Sequence, residues 1–251
     1  MDRPTAFLAA RLVDVFPDGR AERVSYGLAN LTHDTGHTTA TPVAAGPRRL
    51  TLQLNDVAHA FPAGHRLRVA LSTAYWPLVW PSPEPVGLSV RADASQLVLP
   101  VRPPRPEDAD LAPFDAPETA SGPEVRDLHP GGVARTVERD AATGEVTVTT
   151  SCDLDARGAP AISVVEPIRL EVGYGIVETT RLRESDPLSA ETETLHESVQ
   201  RRDGWEVRVR SRHRVSSSRD AFRLEVELDA QEGGRAVFSR RWDERVPRRG
   251  L

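Results

Sequence analysis

The stretch Leu50–Pro85, LTLQLNDVAHAFPAGHRLRVALSTAYWPLVWPSPEP, decides the fold class. Leu50, Leu52 and Leu54 alternate with Thr51 and Gln53, and Leu67, Val69 and Leu71 alternate with Arg66, Arg68 and Ser72. A hydrophobic period of two is that of a half-buried β-strand. Between the two runs, Asn55-Asp56 and Phe61-Pro62-Ala63-Gly64 supply the residue types of a bend, so the runs are expected to be antiparallel neighbours. Tyr75, Trp76 and Trp80 then stand among Pro77, Pro81, Pro83 and Pro85. Proline fixes φ and removes a backbone donor, so this segment is neither helix nor central strand. An ordered loop with buried rings follows, and Tyr75, Trp76, Trp80 and Glu84 are its candidate binding or docking residues.

The same periodicity extends in both directions. Phe7–Val15 and Val24–Leu31 flank the turn Pro17-Asp18-Gly19 and read as a hairpin, while 32–47 lacks apolar periodicity and reads as an exposed loop. Leu88-Ser89-Val90 and Leu97-Val98-Leu99 read as two short strands closing a first domain over residues 1–101. Residues 102–130 hold Pro103, Pro104, Pro106, Pro113, Pro117, Pro123 and Pro130 among acidic residues, the composition of a connector, with Phe114 expected to pin it to a domain.

Residues 131–251 again read as strand after strand, an antiparallel meander. Ile168, Leu170, Val172, Tyr174 and Ile176 mark one face of a long strand, and Thr192–Val199 reads as strand despite its glutamates. Trp205–Ala230 is the clearest hairpin. With a turn at Ser216–Arg219, Val207 would face Leu228 and Val209 would face Val226. On the other side Arg208 would face Glu227 and Arg210 would face Glu225. The fold expected is therefore all-β, a β-sandwich followed by a second, mostly antiparallel β-meander.

Composition narrows the chemistry. The 251 residues carry a net charge of −5, which implies neither nucleic acid nor an anionic membrane as partner. All of the Lys+Arg total is arginine, which rules out lysine nucleophiles, Schiff bases and phosphate-loop lysines. Cys152 is alone, so neither an intrachain disulfide nor a cysteine-rich zinc site can form, and a reducing, cytoplasmic setting is expected. The early apolar run Ala6–Val15 contains Arg11 and Asp14 and reads as neither signal peptide nor membrane span.

No catalytic constellation emerges. There is no G-x-S-x-G elbow; Ser25, in Arg23-Val24-Ser25-Tyr26-Gly27, lacks the first glycine and reads as a strand serine. The histidines His33, His37, His59, His65, His129, His196 and His213 show no metal-ligand spacing, and His33 and His37 read as solvated loop residues. Asp14, Asp18, Asn55 and Asp56 could supply oxygens to a structural calcium, but turn and cap roles suit them better. Neither metal nor cofactor is expected. The arginine-rich stretches 201–214 and 240–249, with Trp205 and Trp242 nearby, could suggest a nucleic-acid surface, but with Glu225 and Glu227 facing Arg208 and Arg210 the first is partly neutralised and reads as a solvated strand face.

Three segments carry a family resemblance: Leu12–Arg20 (LVDVFPDGR), Leu54–Arg68 (LNDVAHAFPAGHRLR) and Ala74–Glu84 (AYWPLVWPSPE). Together they resemble the C-terminal jelly-roll domain of CocE/NonD serine hydrolases, a group including cocaine esterase and X-prolyl dipeptidyl-peptidases. The end of the chain, Glu232–Glu244 and Val246–Arg248, is similar to an additional β-region of longer members. The resemblance implies a galactose-binding-like jelly roll packed on an α/β-hydrolase domain that carries Ser, Asp and His and lies N-terminal to it. No triad residue maps onto this chain, which begins inside the likeness. The expectation is a non-catalytic accessory region, inactive alone, whose partner is an α/β-hydrolase domain in the same parent chain or a separate subunit. Missing first strands would leave an edge that invites homo-oligomers. The alternative is a free-standing β-sandwich stacking a sugar on Tyr75, Trp76 and Trp80.

Overall fold

A computed structural model describes residues 1–250 except 34, 35, 37, 45 and 156. His37, grouped with His33 above, lies outside the described residues. The chain is all-β, built from two antiparallel sheets with only short 3-10 turns besides.

The first sheet has three strands in the order β2-β1-β3: β1 Phe7–Val15, β2 Ala21–Asn30 and β3 Arg66–Ser72. The β1–β2 hairpin closes on Pro17-Asp18-Gly19, where Gly19 takes φ +89° and the Asp18 carboxylate accepts the Arg20 amide at 2.9 Å. β3 pairs with β1, so Leu67 stands opposite Asp14, Val69 opposite Leu12 and Leu71 opposite Ala10.

Leu50–Leu54 forms no ladder and is not the neighbour of β3 that alternation suggested. It runs in extended form along the far edge of the sheet, where the Asn55 amide donates to the Tyr26 carbonyl at 2.9 Å. There Leu50 and Leu52 join Val43, Val86 and Leu88 over a core of Ala6, Leu8 and Leu31. The connection 55–65 must therefore cross β1 to reach β3. Leu97, Val98 and Leu99, expected as a closing strand, are exposed and unpaired in any sheet.

The second sheet contains nine strands: β4 Val125–His129, β5 Gly132–Arg139, β6 Glu145–Leu154, β7 Ala161–Val165, β8 Leu170–Arg183, β9 Asp186–Arg202, β10 Trp205–Ser217, β11 Ala221–Glu232 and β12 Arg235–Pro247. The main order is β12-β11-β10-β9-β8-β6-β5, with β7 joining β4 to the first part of β8. Thus β8 gives residues 170–174 to β7 and 176–183 to β6. Gly175 sits at the changeover, where a Cβ would lie 2.5 Å from Leu154 Cδ2.

Three expectations are corrected here. The connector is shorter, because β4 falls within 102–130 yet pairs with β7. Phe114 pins nothing, being fully exposed. The β10–β11 register is shifted by four residues: Val207 faces Glu232, Val209 faces Ala230, Arg208 faces Gln231 and Arg210 faces Asp229. An even shift keeps every side chain on its own face, so alternation could not distinguish the two registers. The turn decides it, through the Ser218 amide donating to the Ala221 carbonyl and the Ser218 hydroxyl donating to Asp220.

On β10 and β11 the two faces differ in character, although Leu195 and Val199 of β9 lie on the arginine side and Arg240 and Glu244 of β12 on the other. Val207, Val209 and Val215 share a side with Leu224, Val226 and Leu228, whereas Arg208, Arg210, Arg212 and Arg214 share the other. Their partners are mainly on β9: Arg208 and Arg210 meet Glu197, Arg212 meets Glu193, and Arg214 meets Glu191 and Glu225. The apolar side is not sealed, for Tyr174, Trp205, Phe238 and Val246 remain 43–47% exposed. Of twelve buried apolar residues among those described, eight lie in the first 43 residues and four in the second sheet. The whole exposes 17416 Å², whereas a compact monomer of this mass exposes on the order of 11,000 Å². No helix among the described residues is long and apolar enough to cross a membrane.

Close packing of 50–55 on β2 makes a prediction. A Cβ at Gly27 would lie 2.3 Å from the Gln53 carbonyl oxygen. Gly27→Ala should push the segment away and cost about 1–3 kcal/mol, measured by urea denaturation.

Candidate functional site

Two constellations gather the residues that the sequence singled out. The first is the aromatic loop. Its Trp76-Pro77 peptide bond is cis, and the Val79 amide closes a turn on the Tyr75 carbonyl at 3.0 Å. Tyr75 stays with the first sheet. Its ring lies edge-on to Tyr26 at 5.9 Å, the Arg11 guanidinium stands 5.0 Å from its centroid, and its hydroxyl accepts from Arg23.

Trp80 leaves that sheet. Its ring stands edge-to-face with Trp76 at 4.9 Å and with Phe222 of β11 at 5.4 Å, and its indole N–H donates to Ser217 Oγ of β10 at 2.9 Å. Beside it the Arg248 guanidinium, 8% exposed, donates to the Pro81 carbonyl, to Ser217 Oγ at 3.2 Å and to the Ser218 carbonyl at 3.3 Å, with the Phe222 ring 5.1 Å away. Burial pulls its pKa down to about 10, so it is still charged at neutral pH.

Glu84 closes the rim. It takes Arg219 from the β10–β11 turn and Arg3 at 3.2 Å from the N-terminal segment. The Arg219 hydrogen bond, with its charge, holds the Glu84 carboxyl below the usual range. Residues beyond β12 complete the junction: the Gly250 carbonyl accepts from Asn30 Nδ2 and Thr32 Oγ1, both at 2.7 Å. Gly250 takes φ +71°, and a Cβ there would lie 2.4 Å from that of Ala40. Of the four candidate residues, Trp80 and Glu84 thus touch the second sheet directly, Trp76 braces Trp80, and Tyr75 holds the loop to the first sheet.

The second constellation escaped the sequence reading. The Asp14 carboxylate, 1% exposed, meets His65 Nδ1 at 2.8 Å through Oδ1 and His59 Nε2 at 3.1 Å through Oδ2. Both histidines lie on the connection that crosses β1, and Phe16 and Phe61 pack against them at 4.4 and 4.8 Å. Burial by itself would raise the Asp14 pKa, but the hydrogen bonds and charge of His65 and His59 outweigh it and hold the carboxyl below its usual range. The available signal was a carboxylate between Leu12 and Val15 on a strand whose apolar residues are buried.

Chemically this is a clasp. Each imidazole spends a nitrogen on a carboxylate oxygen, and no cluster of three or more such groups among the described residues could hold a metal. Asp18 accepts the Arg20 amide within its own turn, while both oxygens of Asp14 are taken by the two imidazoles. Ser25 is also committed: its hydroxyl, 5% exposed at the residue, donates to the Asn55 carbonyl at 2.6 Å. His59, His65 and Ser25 therefore secure the two ends of one crossing segment.

Against known proteins, residues 1–107 match the family model of the X-Pro dipeptidyl-peptidase C-terminal non-catalytic domain. No curated protein and no solved structure matches the chain.

Two measurements check these roles. Trp80→Ala should destabilise the junction by about 2–4 kcal/mol, whereas Trp80→Phe, keeping a ring but losing the Ser217 bond, should cost about 1 kcal/mol; thermal melting separates them. For Asp14 the folded pKa lies below the unfolded one, so its contribution is present above the unfolded value and is lost as pH falls through the folded value. The melting temperature should fall more steeply below about pH 4 for the wild type than for Asp14→Asn.

Proposed function

We propose that this chain is the non-catalytic accessory region of a CocE/NonD-type serine hydrolase, an esterase or X-prolyl dipeptidyl-peptidase, and that it buttresses an α/β-hydrolase domain and shapes its pocket. The match of residues 1–107 to a C-terminal non-catalytic domain supports the reading. The observation that carries it is the state of β3. Leu67, Val69 and Leu71 stand on the same side as Leu12 and the buried core, yet they are 42%, 44% and 39% exposed. They form an open flank of apolar residues beside a finished core, the surface an adjoining domain would cover.

The serines fit this role. Ser25 and Ser217 are bound to structural partners, and Ser82 is buried within the aromatic loop.

The test has two parts. The purified chain should turn over neither activated acyl esters nor X-prolyl amides; turnover abolished by alanine at one of its own serines would refute the proposal. Added to a separately expressed α/β-hydrolase domain bearing the G-x-S-x-G elbow, it should bind and raise activity. The double variant Leu67→Asp/Leu71→Asp should lose that binding while keeping the far-ultraviolet circular dichroism of the wild type.

A further inference from the structure

The end of the second sheet offers a surface that is complementary to itself. β12, thirteen residues long, is the terminal strand, bonded to β11 on one edge with the other edge open, and all of it is exposed except the half-buried Trp242. An open edge displays a row of unpaired amides and carbonyls, a template for another strand. Its central sequence is Ser239-Arg240-Arg241-Trp242-Asp243-Glu244-Arg245. From these observations we infer that the chain forms a two-fold dimer by antiparallel pairing of β12 with β12 of a second copy, centred on Trp242.

The charge order singles out this register. With Trp242 opposite Trp242 of the second copy, Arg241 meets Asp243, Arg240 meets Glu244, and Phe238 meets Val246, each twice by symmetry. Arg240, Trp242 and Glu244 lie on the apolar side of the sheet and Arg241 and Asp243 on the charged side, so both faces gain opposite-charge pairs. Shifting the two-fold by one residue either way sets Arg241 against Arg241 or Asp243 against Asp243. Edges that avoid pairing carry charged side chains, bulges or prolines; β12 has its proline, Pro247, at its last position, outside the span Phe238–Val246 paired here. Two arginines precede Trp242 and two acidic residues follow it, so a two-fold at Trp242 brings opposite charges together and fixes the register.

The present partners of these side chains do not oppose the pairing. Arg241 lies 3.5 Å from Glu227 and Asp243 lies 2.6 Å from Arg223, but the two are 79% and 59% exposed. The Arg241–Glu227 pair is solvated and can be exchanged at small cost, whereas Asp243 holds Arg223 through two hydrogen bonds, at 2.9 and 2.6 Å, and keeps that pair while its remaining lone pairs accept Arg241 of the second copy. Phe238 and Val246, 47% and 46% exposed, would each be covered across the new ladder. The surface is distinct from the β3 flank, so the dimer and the proposed hydrolase contact are independent.

Analytical ultracentrifugation of the full chain across the micromolar range tests this, with the dimer expected at twice the 27.5 kDa of one chain. Arg241→Asp places an aspartate opposite Asp243, and Asp243→Arg places an arginine opposite Arg241. Each variant alone should dimerise about tenfold or more weakly. Mixed in equal amounts, the two should recover the dimer, because the aspartate introduced in one copy then meets the arginine introduced in the other, while the native Asp243 of the first meets the native Arg241 of the second. That rescue cannot come from a folding defect, since neither substitution repairs its own contact with Glu227 or Arg223. A wild type that stays monomeric, a dimer that both single variants retain, or a mixture that stays monomeric would each overturn the inference.

Discussion

The structure depends on one buried cation. A guanidinium taken out of water must have its donors answered, or its desolvation outweighs everything it touches. Arg248 answers them with the Pro81 carbonyl from the aromatic loop, the Ser218 carbonyl and Ser217 hydroxyl from the β10–β11 end, and the Phe222 ring. Two segments far apart in sequence, the loop at Pro81 and the β10–β11 end at Ser217–Phe222, are thereby held to one charge. Trp80 reaches Ser217 and Phe222 at the place where Arg248 binds both, and the proline-rich segment keeps one shape because the Pro81 carbonyl is in use.

Around that junction the two sheets solve the problem of surface differently. The first buries a small core under extended segments and fastens the crossing with Asp14, His59 and His65. The second has few buried apolar residues and relies on long antiparallel ladders, with the arginines of β10 on one side and its valines on the other. Neither arrangement encloses its apolar surface completely. Both leave apolar side chains in solvent, at a cost that the buried core and the ladders have to offset.

What could be read from the sequence follows from how local the cause was. The β1–β2 hairpin is written in its alternation and in Pro17-Asp18-Gly19, and the structure repeats it. Leu67, Val69 and Leu71 marked a strand correctly, but alternation says which residues share a side and not whether anything covers that side. The β10–β11 register could not be read because a four-residue slip leaves the pattern unchanged. The clasp at Asp14 joins residues 45 and 51 positions apart, and the Trp80–Ser217 bond spans 137; nothing in local pattern ties such partners to each other. Tyr75, Trp76, Trp80 and Glu84 were legible as a group, because large rings fixed among prolines demand an anchor, though the identity of that anchor was not.

The Gly250 carbonyl carries a consequence for the order of folding. It accepts from Asn30 and Thr32 across 220 and 218 positions. During synthesis the N-terminal hairpin and each strand of the meander can form as they emerge, since their contacts are local. Trp80 and Glu84 can meet the β10–β11 end earlier, but the fastening of one sheet to the other is complete only when Arg248 and Gly250 have left the ribosome. Until then the Pro81 carbonyl and the Ser217–Phe222 end lack the cation they share, and the short segment after β12 acts as the latch that ends that stage.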